Sequence, residues 1–377
     1  MKYIDEFRDG RLARAIGDAI RRAVDPGRRY NLMEFCGGHT HAIARYGLPD
    51  LLPRNVRMIH GPGCPVCVLP IGRIDNAIEI ASRANVILCS FGDTLRVPAS
   101  GQMSLLKAKA RGADVRMVYS SLDAVAIARD NPARQVVFFA IGFETTMPTT
   151  AVAVKKAEAL GLRNFSVFCN HVLTPAALEA ILTTQGGDDS MVDGIVGPAH
   201  VSTVIGSAPY ASFTQRYRKP LVIAGFEPLD VLQAVLMLVR QLNEGRSEVE
   251  NEYTRAVTAQ GNLKAQAMVE DMFEPLASFE WRGLGEVPWS ALKLRARYRL
   301  FDAEARFQVE TRAVADAKAC ECGTILRGLK EPKDCKIFGT VCTPENPVGA
   351  CMVSSEGACA AYYTYGRFTI PIAQARA

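Results

Sequence analysis

The sequence predicts an α/β fold over the first 240 residues and a separate, mainly helical domain after them. Three observations support this prediction. Short apolar segments alternate with helical segments up to about residue 240, the next segment is charged with a helical period, and cysteines concentrate near the C-terminus. A chain of 377 residues has room for two or three domains, because a single core rarely grows beyond roughly 250–300 residues.

The candidate strands are short, β-branched and in several cases apolar almost throughout. Such runs are typical of parallel strands that are buried on both faces. We predict strands at 32–35, 56–59, 86–89, 115–118, 136–141, 165–168, 194–196 and 221–224. Helical segments lie between them, for example 74–83, 102–111, 149–160 and 176–184. Alternation of the two types indicates α/β architecture.

Eight such units can close into a barrel or divide into two open sheets. The strands at 136–141 and 221–224 both lead into Gly-Phe-Glu, which is a hint of an internal repeat and so of two sheets. We therefore predict a first α/β domain at 25–130 and a second at 131–240. The third domain spans 241–377, and we expect the N-terminal helix, 1–24, to dock on it.

Composition narrows the possible functions. The formal charge of +5 is small for this length and the basic residues are scattered, so nucleic-acid binding is not predicted. The N-terminus lacks the features of a signal peptide and no apolar run reaches about 18 residues, so we expect a cytoplasmic protein without a membrane span. In a reducing compartment, eleven cysteines indicate metal binding or redox chemistry rather than a disulfide framework.

Reactive side chains follow the predicted strands. Ligands bind beyond the carboxyl ends of parallel strands, and all five histidines fall at or just past such an end. Cys36 and His39 follow the first strand with the spacing Cys-x-x-His, which suits two ligands of one iron or zinc ion. Gly37 and Gly38 let the backbone turn tightly between them. The alternative is a buried cysteine beside a capping histidine.

Two further motifs follow later strands. Cys64 and Cys67 form a Cys-x-x-Cys pair, which suits a reversible disulfide or, with a second such pair, a zinc site. The sequence contains no second Cys-x-x-Cys, which favours the redox interpretation. Glu144, Thr145 and Thr146 follow the strand at 136–141 at the start of a helix. They are candidate catalytic residues, although helix capping alone also explains these residue types.

The C-terminal segment carries six cysteines within forty residues: Cys320, Cys322, Cys335, Cys342, Cys351 and Cys359. A cubane iron–sulfur cluster needs four thiolates, which leaves two cysteines that could form a disulfide. Zinc is the competing ligand, but the paired knuckles typical of zinc sites are missing. The spacing does not decide which four cysteines bind.

Together these segments resemble the HypD family of hydrogenase maturation proteins. The matching stretches run from Glu34 to Ile43, from Gly61 to Cys67 and from Gly142 to Thr146, and the six-cysteine tail matches as well. The resemblance implies a role in building the Fe(CN)2CO unit of NiFe hydrogenases. It also implies two similar α/β domains, a third domain with a 4Fe-4S cluster, the chaperone HypC as a partner and HypE as the cyanide donor.

The resemblance further implies roles for individual residues. Cys36 would bind the iron of the Fe(CN)2CO unit, with His39 as a ligand or close neighbour. Cys64 and Cys67 would be the redox-active pair in the cleft between the α/β domains. The family's cluster ligands correspond to Cys320, Cys335, Cys342 and Cys359, and its adjacent disulfide corresponds to Cys322 and Cys351. A cluster passes one electron at a time, whereas a dithiol stores two. These cysteines would therefore connect one-electron transfer by the cluster to two-electron chemistry at the dithiol.

Two other functions are open at this point. A cluster-linked thiol–disulfide oxidoreductase acting on other proteins would need no iron beyond the cluster and no Cys36. A zinc-stabilised, non-catalytic scaffold would be colourless. The sequence also leaves open whether the protein turns over as an enzyme.

Overall fold

Two β-sheets organise the computed structural model, which describes residues 4–184, 191–310 and 312–366. The strands are β1 Tyr30–Glu34, β2 Val56–His60, β3 Val86–Ser90, β4 Asp114–Met117, β5 Gln135–Gly142, β6 Phe165–Val172, β7 Gly194–Pro198, β8 Leu221–Ala224, β9 Val249–Asn251, β10 Phe273–Pro275, β11 Ser278–Trp281, β12 Gly285–Pro288 and β13 Ala291–Leu294. Each of the eight predicted strands is present, which confirms the α/β class.

Helices fill most of the connections. The α-helices are α1 Gly10–Ala23, α2 Gly37–Arg45, α3 Pro65–Val68, α4 Ile71–Ala81, α5 Leu105–Ala110, α6 Ser121–Asp130, α7 Met147–Ala159, α8 Thr174–Thr184, α9 Ala199–Ile205, α10 Ala211–Tyr217, α11 Pro228–Asn243, α12 Leu263–Met272, α13 Ala303–Phe307, α14 Cys322–Leu326 and α15 Ala358–Tyr365. Short 3-10 helices include Leu48–Leu51, Asp93–Arg96, Ala296–Phe301, Pro332–Asp334 and Ala350–Met352.

The first sheet is parallel, with the strand order β2-β1-β7-β8-β9. Strand β1 lies between β2, which follows it along the chain, and β7, which comes much later. The connections from β1 and β7 therefore leave on different sides, and a crevice opens at the carboxyl end of β1. This topological switch point is where α/β sheets bind ligands.

The second sheet has the order β10-β13-β6-β5-β3-β4. Strands β3 to β6 are parallel, and β13 and β10 extend the sheet with antiparallel pairing. Here β3 and β5 form the corresponding switch point.

The sheets divide the chain differently from the predicted boundaries 25–130 and 131–240. The first sheet takes β1 and β2 and then β7 to β9, whereas the second takes β3 to β6 and then β10 and β13. The chain thus leaves the first sheet after β2 and returns to it at β7. Local patterns cannot reveal this exchange, because both sheets use the same buried, β-branched strands.

The region 241–377 was predicted to be mainly helical, and its first half is not. Five short strands, β9 to β13, lie between 249 and 294, and β11 and β12 form a hairpin. The main helix of this segment is α12. The strands alternate buried and exposed residues over only three or four positions. Runs this short are too short for their alternation of apolar and polar residues to be recognised in the sequence. In the described part of the cysteine-rich tail, from 320 to 366, the regular elements are short helices.

The N-terminal helix packs mainly outside the region 241–377 on which we expect it to dock. Helix α1 lies against α11 and the segment Leu48–Leu51, and it reaches that region at the end of α11, where Asn243 Nδ2 donates to the Ala23 carbonyl at 2.6 Å. Its apolar stripe, including the fully buried Ile20, joins the core behind the first sheet. Helix α11 has a long apolar face that packs on β7 and β8, and α1 packs against α11 in turn.

One core lies between the two sheets. Successive residues of β1 face opposite sides of the sheet, so Leu32 joins the core under α11 while Met33 joins the central core. Leu88 and Phe139 of the second sheet and Cys351 of the tail belong to the same central core. The sheets and the tail are therefore packed on one another. No helix in the described ranges is both long enough and apolar enough to cross a bilayer.

Candidate functional site

Cys36 lies at the switch point of the first sheet. It follows β1 in extended conformation and serves as the residue before the first turn of α2, and its side chain is buried. Its backbone N–H donates a hydrogen bond to Glu34 Oε2 at 3.0 Å. The thiol is thus held in a largely buried position at the carboxyl end of β1.

Glu34 is a fully buried carboxylate that fixes the surroundings of Cys36. Besides the Cys36 amide it accepts a hydrogen bond from the Thr40 hydroxyl, and His60 Nδ1 lies 2.8 Å from Glu34 Oε1. Because a buried charge is costly unless it is satisfied, these donors explain how an acid is tolerated at the end of β1. Through these bonds Glu34 of β1 connects to His60 of β2 and Thr40 of α2, next to the Cys36 backbone.

His39 is held in one tautomer. Its Nε2 lies 2.9 Å from the carbonyl oxygen of Ala224 and 3.0 Å from that of Gly225, at the end of β8. Carbonyl oxygens only accept, so Nε2 carries the proton and Nδ1 presents a lone pair. Nδ1 is buried without a hydrogen-bond partner among the described residues. Burial lowers the pKa of His39, so the ring stays neutral at pH 7 and its Nδ1 lone pair is available to bind a metal or accept a hydrogen bond.

The Cys36 thiol is protonated in this setting. Burial raises its pKa well above the usual range, and the nearby carboxylates of Glu356 and Glu34 raise it further. Glu356 comes from the tail and packs so closely on Gly37 that a Cβ there would lie 2.4 Å from the Glu356 Cβ. A metal cation would displace the proton and be favoured by the two acids.

Cys64 and Cys67 form a disulfide next to Cys36. The pair spans the first turn of α3, where the Cys67 N–H lies 3.3 Å from Cys64 Sγ. The preceding Gly63 lies against Cys36, because a Cβ on Gly63 would be 2.4 Å from the Cys36 nitrogen. The Gly37 N–H also donates to the Gly63 carbonyl at 3.0 Å. The two predicted cysteine motifs are therefore adjacent in space.

The tail cysteines converge as thiols. The thiols of Cys320, Cys351 and Cys359 all act on the pKa of Cys322, so the four lie close together. A Cβ on Gly349 would lie 2.3 Å from Cys320 Sγ and 2.5 Å from Cys322 Sγ, so the absence of a side chain there makes room for sulfur. All six tail thiols are free, and all but Cys320 are buried.

The six tail cysteines fit an iron–sulfur cluster by their chemistry. The converging group of Cys320, Cys322, Cys351 and Cys359 consists of thiols that are mostly buried, and the tail supplies two further buried thiols, Cys335 and Cys342, so the four ligands that a cubane requires are available. Cys342 Sγ also accepts a hydrogen bond from the Val348 N–H at 3.4 Å, the kind of contact that supports a ligating sulfur. Within the described ranges, no three His, Cys, Asp or Glu side chains are arranged around one metal ion, as a zinc site would require.

Mutual hydrogen bonds separate the acidities of the tail thiols. The bond from Cys322 lowers the pKa of Cys320 to about 7. The pKa values of Cys322, Cys351 and Cys359 are raised. Cys320 is therefore the first of this group to become a thiolate as the pH rises.

The tail segment 350–356 joins the two halves of the site. The Ala350 carbonyl oxygen lies 4.0 Å from Cys67 Sγ, while Glu356 packs on Gly37 beside Cys36. Cys351 is thus one residue from a contact with the disulfide. Helix α15 completes the contact, with the Tyr362 ring edge-on to His60 at 5.2 Å.

Glu144, Thr145 and Thr146 lie at the end of β5 in the second sheet. Both Glu144 oxygens accept hydrogen bonds from Thr174, from its N–H at 2.8 Å and from its hydroxyl at 2.9 Å. Burial nevertheless raises the pKa of Glu144 to about 7. Thr146 donates to the Phe143 carbonyl at 3.1 Å, and Thr145 is half-buried between them. Glu144 thus accepts from the first residue of α8, whereas Thr146, the residue before α7, makes no side-chain cap bond, so the capping expected at the helix that follows the motif is not observed.

Tyr210 lies in the central core, where burial raises its pKa and the carboxylate of Glu144 raises it further.

Sequence reasoning missed two charged residues at this site: Glu34 and Glu356. Glu34 gave a usable signal, since an acid directly before Phe-Cys at the end of an apolar strand is unusual. Glu356 comes from a distant segment, and only the tertiary structure brings it close to Cys36.

Comparisons with known proteins identify the family of this chain. A family model described as "HypD: Hydrogenase formation hypA family" matches residues 11–366. The hydrogenase expression/formation protein HupD of Azotobacter chroococcum mcd 1 is 66% identical over 369 residues, covering 97% of each chain. The hydrogenase maturation factor HypD of Cupriavidus necator is 64% identical over 379 residues, covering 100% of each chain. That of Escherichia coli K12 is 48% identical over 370 residues, covering 97% of this chain and 98% of the relative. This chain belongs to the HypD family of hydrogenase maturation factors.

Proposed function

We propose that this chain assembles the Fe(CN)2CO unit of a NiFe hydrogenase on Cys36 and delivers the electrons that the assembly requires. The observation that carries the proposal is the position of segment 350–356. This short stretch touches both Cys67 and the Cys36 loop, so a redox pair and a metal-binding thiol share one crevice.

The iron is the substrate and would bind two groups of this chain. Cys36 would bind as a thiolate after losing its proton to the entering cation, and His39 would bind or accept a hydrogen bond through Nδ1. The remaining coordination positions would be open to cyanide, carbon monoxide and a cysteine of a partner. We assign that partner to the chaperone HypC, and the cyanide donor to HypE. A cytoplasmic location is part of this proposal, because a reducing compartment keeps the thiols available.

Electrons would enter at the tail. Cys320, Cys335, Cys342 and Cys359 would hold a 4Fe-4S cluster, which when bound supplies electrons one at a time. Cys322 and Cys351 would form the adjacent redox disulfide, and their thiols already share a hydrogen bond. The Cys64–Cys67 disulfide takes up two electrons and two protons to become a dithiol.

The dithiol supplies what cyanide release consumes. A thiocyanate on a HypE cysteine and two protein thiols give a free HypE thiol, hydrogen cyanide and the Cys64–Cys67 disulfide. Cyanide then binds the iron and loses its proton. Two electrons and two protons balance on both sides, so the step returns the pair to the state in which the structure has it.

Anaerobic purification with metal analysis and infrared spectroscopy tests this function. We expect iron and sulfide in the wild type, and CN and CO stretching bands that disappear in Cys36→Ala while the cluster absorbance stays. Cys322→Ala and Cys351→Ala should retain the cluster and block cyanide transfer, and unchanged transfer would exclude the relay.

The same experiment separates the alternatives. A thiol–disulfide oxidoreductase would show the cluster without CN or CO bands and would not need Cys36. A zinc-stabilised scaffold would contain zinc and no cluster absorbance. The number of Fe(CN)2CO units transferred per chain distinguishes an enzyme from a scaffold.

A further inference from the structure

Arg282 is a buried cation in the turn between β11 and β12, and the assembly step described above does not use it. Only 2% of its side chain is exposed. Arg282 Nε lies 3.1 Å from Asp316 Oδ1, and another guanidinium nitrogen donates to the Pro98 carbonyl at 3.4 Å. Burying a guanidinium is costly unless its charge is compensated. Asp316 compensates it from a position that is one-third exposed.

The turn that carries Arg282 lies between the two redox sites. On one side, the Arg282 N–H donates to the Val68 carbonyl at 2.7 Å, and Val68 follows Cys67 directly. On the other side, Gly283 packs against Gly323, so closely that a Cβ on Gly283 would lie 2.5 Å from the Gly323 Cα. Gly323 follows Cys322. The hairpin is thus wedged between the disulfide helix α3 and the start of the cysteine tail.

The pair acts on the tail with opposite signs. Asp316 precedes Cys320 by one turn, in which the Cys320 N–H donates to the Ala317 carbonyl at 2.8 Å. Arg282 and Asp316 thus place a fixed cation and a fixed anion beside the start of the tail, where Gly283 packs against the residue that follows Cys322. Burial raises the pKa of Glu280 on β11, the charges of Glu286 and Asp316 raise it further, and Arg282 opposes them.

We propose that Arg282 and Asp316 set the reduction potential of the centre held by the tail cysteines, with Arg282 raising it and Asp316 lowering it. The inference rests on the proposed function, in which these cysteines hold an iron–sulfur cluster. Reduction adds an electron to a buried centre ligated by thiolates. A fixed cation nearby stabilises the reduced form, and a fixed anion destabilises it.

Redox titration of the anaerobic full-length protein, followed by electron paramagnetic resonance, tests the proposal. At the wild-type midpoint, Arg282→Gln should lower the ratio of reduced to oxidised cluster about tenfold, which is about 59 mV for a one-electron couple. Asp316→Asn should raise the same ratio. Arg282→Lys keeps the charge and should stay closer to the wild type than Arg282→Gln.

Matched controls come from an exposed pair. Arg129 and Asp130 form an ion pair with both side chains 61% exposed, so Arg129→Gln and Asp130→Asn should leave the midpoint unchanged. A purely structural role of Arg282 would lower thermal stability without opposite shifts in potential. If Arg282→Gln does not fold, Asp316→Asn alone tests the proposal: a higher midpoint potential supports it, and a lower or unchanged one overturns it.

The outcomes are distinct. Shifts of the same sign in Arg282→Gln and Asp316→Asn, or no shift with an intact cluster, overturn the inference and leave the proposed function standing. A wild-type protein that binds no iron after anaerobic reconstitution sinks the proposed function itself.

Discussion

Glu34 supports the residue on which the proposed chemistry depends. All its hydrogen-bond partners are donors, namely the Cys36 amide, the Thr40 hydroxyl and the Nδ1–H of His60. A carboxylate can accept from all of them, whereas an amide would turn its own NH2 group towards one donor.

We therefore predict that Glu34→Gln lowers the free energy of unfolding by roughly 1–3 kcal/mol, as expected for an unsatisfied buried polar group. Denaturant unfolding of the apo-protein measures it. Thr40→Val is the matched control, because it removes one donor and leaves the carboxylate with the others. An equal loss in both variants would contradict the central role of Glu34.

Glu144 gives the protein a pH-dependent stability. Its pKa is about 7 in the folded chain, raised by burial, against an ordinary value of 4.5. The unfolded chain loses this proton first, so the stabilisation is fully present below pH 4.5 and is lost as the pH rises to about 7. A shift of this size corresponds to about 3 kcal/mol at most.

We expect the stability of the wild type minus that of Glu144→Gln to fall between pH 4.5 and 8 and to remain flat above. Urea unfolding of both proteins across this range measures the difference. Glu158→Gln on the exposed face of α7 changes no buried charge and should give a flat difference. A flat curve for Glu144→Gln as well would show that this acid ionises normally.

At this scale the sequence predicts candidate residues but few of their partners. Cys36, Cys64 and Cys67 stand out because residue type and local spacing alone indicate cysteine chemistry, and the structure places the two motifs side by side. A buried charge contributed by a distant segment gives no such local signal. Glu356 is 320 residues from Cys36, and only packing brings it beside Gly37.

At the scale of elements, the cysteine tail depends on small residues that leave space for sulfur. Gly349 has φ of −118°, which any residue can adopt, so the reason for glycine there is space and not backbone freedom. A Cβ would collide with Cys320 Sγ and Cys322 Sγ. The tail cannot yield easily, because Ala350 and Cys351 are fully buried.

We predict that Gly349→Ala loses most of the iron and sulfide bound after anaerobic reconstitution. Gly366→Ala is a matched control in the same tail, with φ of −69° and open space where its Cβ would lie. It should bind as much iron and sulfide as the wild type. Full iron content in Gly349→Ala would mean that the thiols rearrange when the cluster forms.

Strands were the most predictable elements, and their pairing was the least. Each predicted strand is present because a run such as Val86–Ser90 is apolar, β-branched and bounded by turn residues. Which sheet that run joins depends on contacts between segments far apart in sequence. The prediction of two contiguous domains therefore did not match the exchange at β3 and β7.

At the scale of the whole molecule, the sheets share one core and should unfold together. The first sheet has the α1 and α11 core on one face and the central core on the other, and the central core also includes Trp281 of the β11–β12 hairpin. A substitution that destabilises α1 should therefore also change the unfolding transition reported by Trp281, which belongs to the hairpin on the other side of the central core.

Ile20→Ala tests this coupling, because Ile20 is fully buried under α11 and its truncation should cost about 2–5 kcal/mol. We expect one unfolding transition, shifted equally when followed by far-ultraviolet circular dichroism and by tryptophan fluorescence. Leu12→Ala, on the exposed side of the same helix with 52% of its surface accessible, should change stability by less than about 0.5 kcal/mol. A fluorescence transition that stays at its wild-type position in Ile20→Ala would show that the halves unfold separately. The disulfide, the thiols of the tail and Cys36 would then not be held in one rigid crevice.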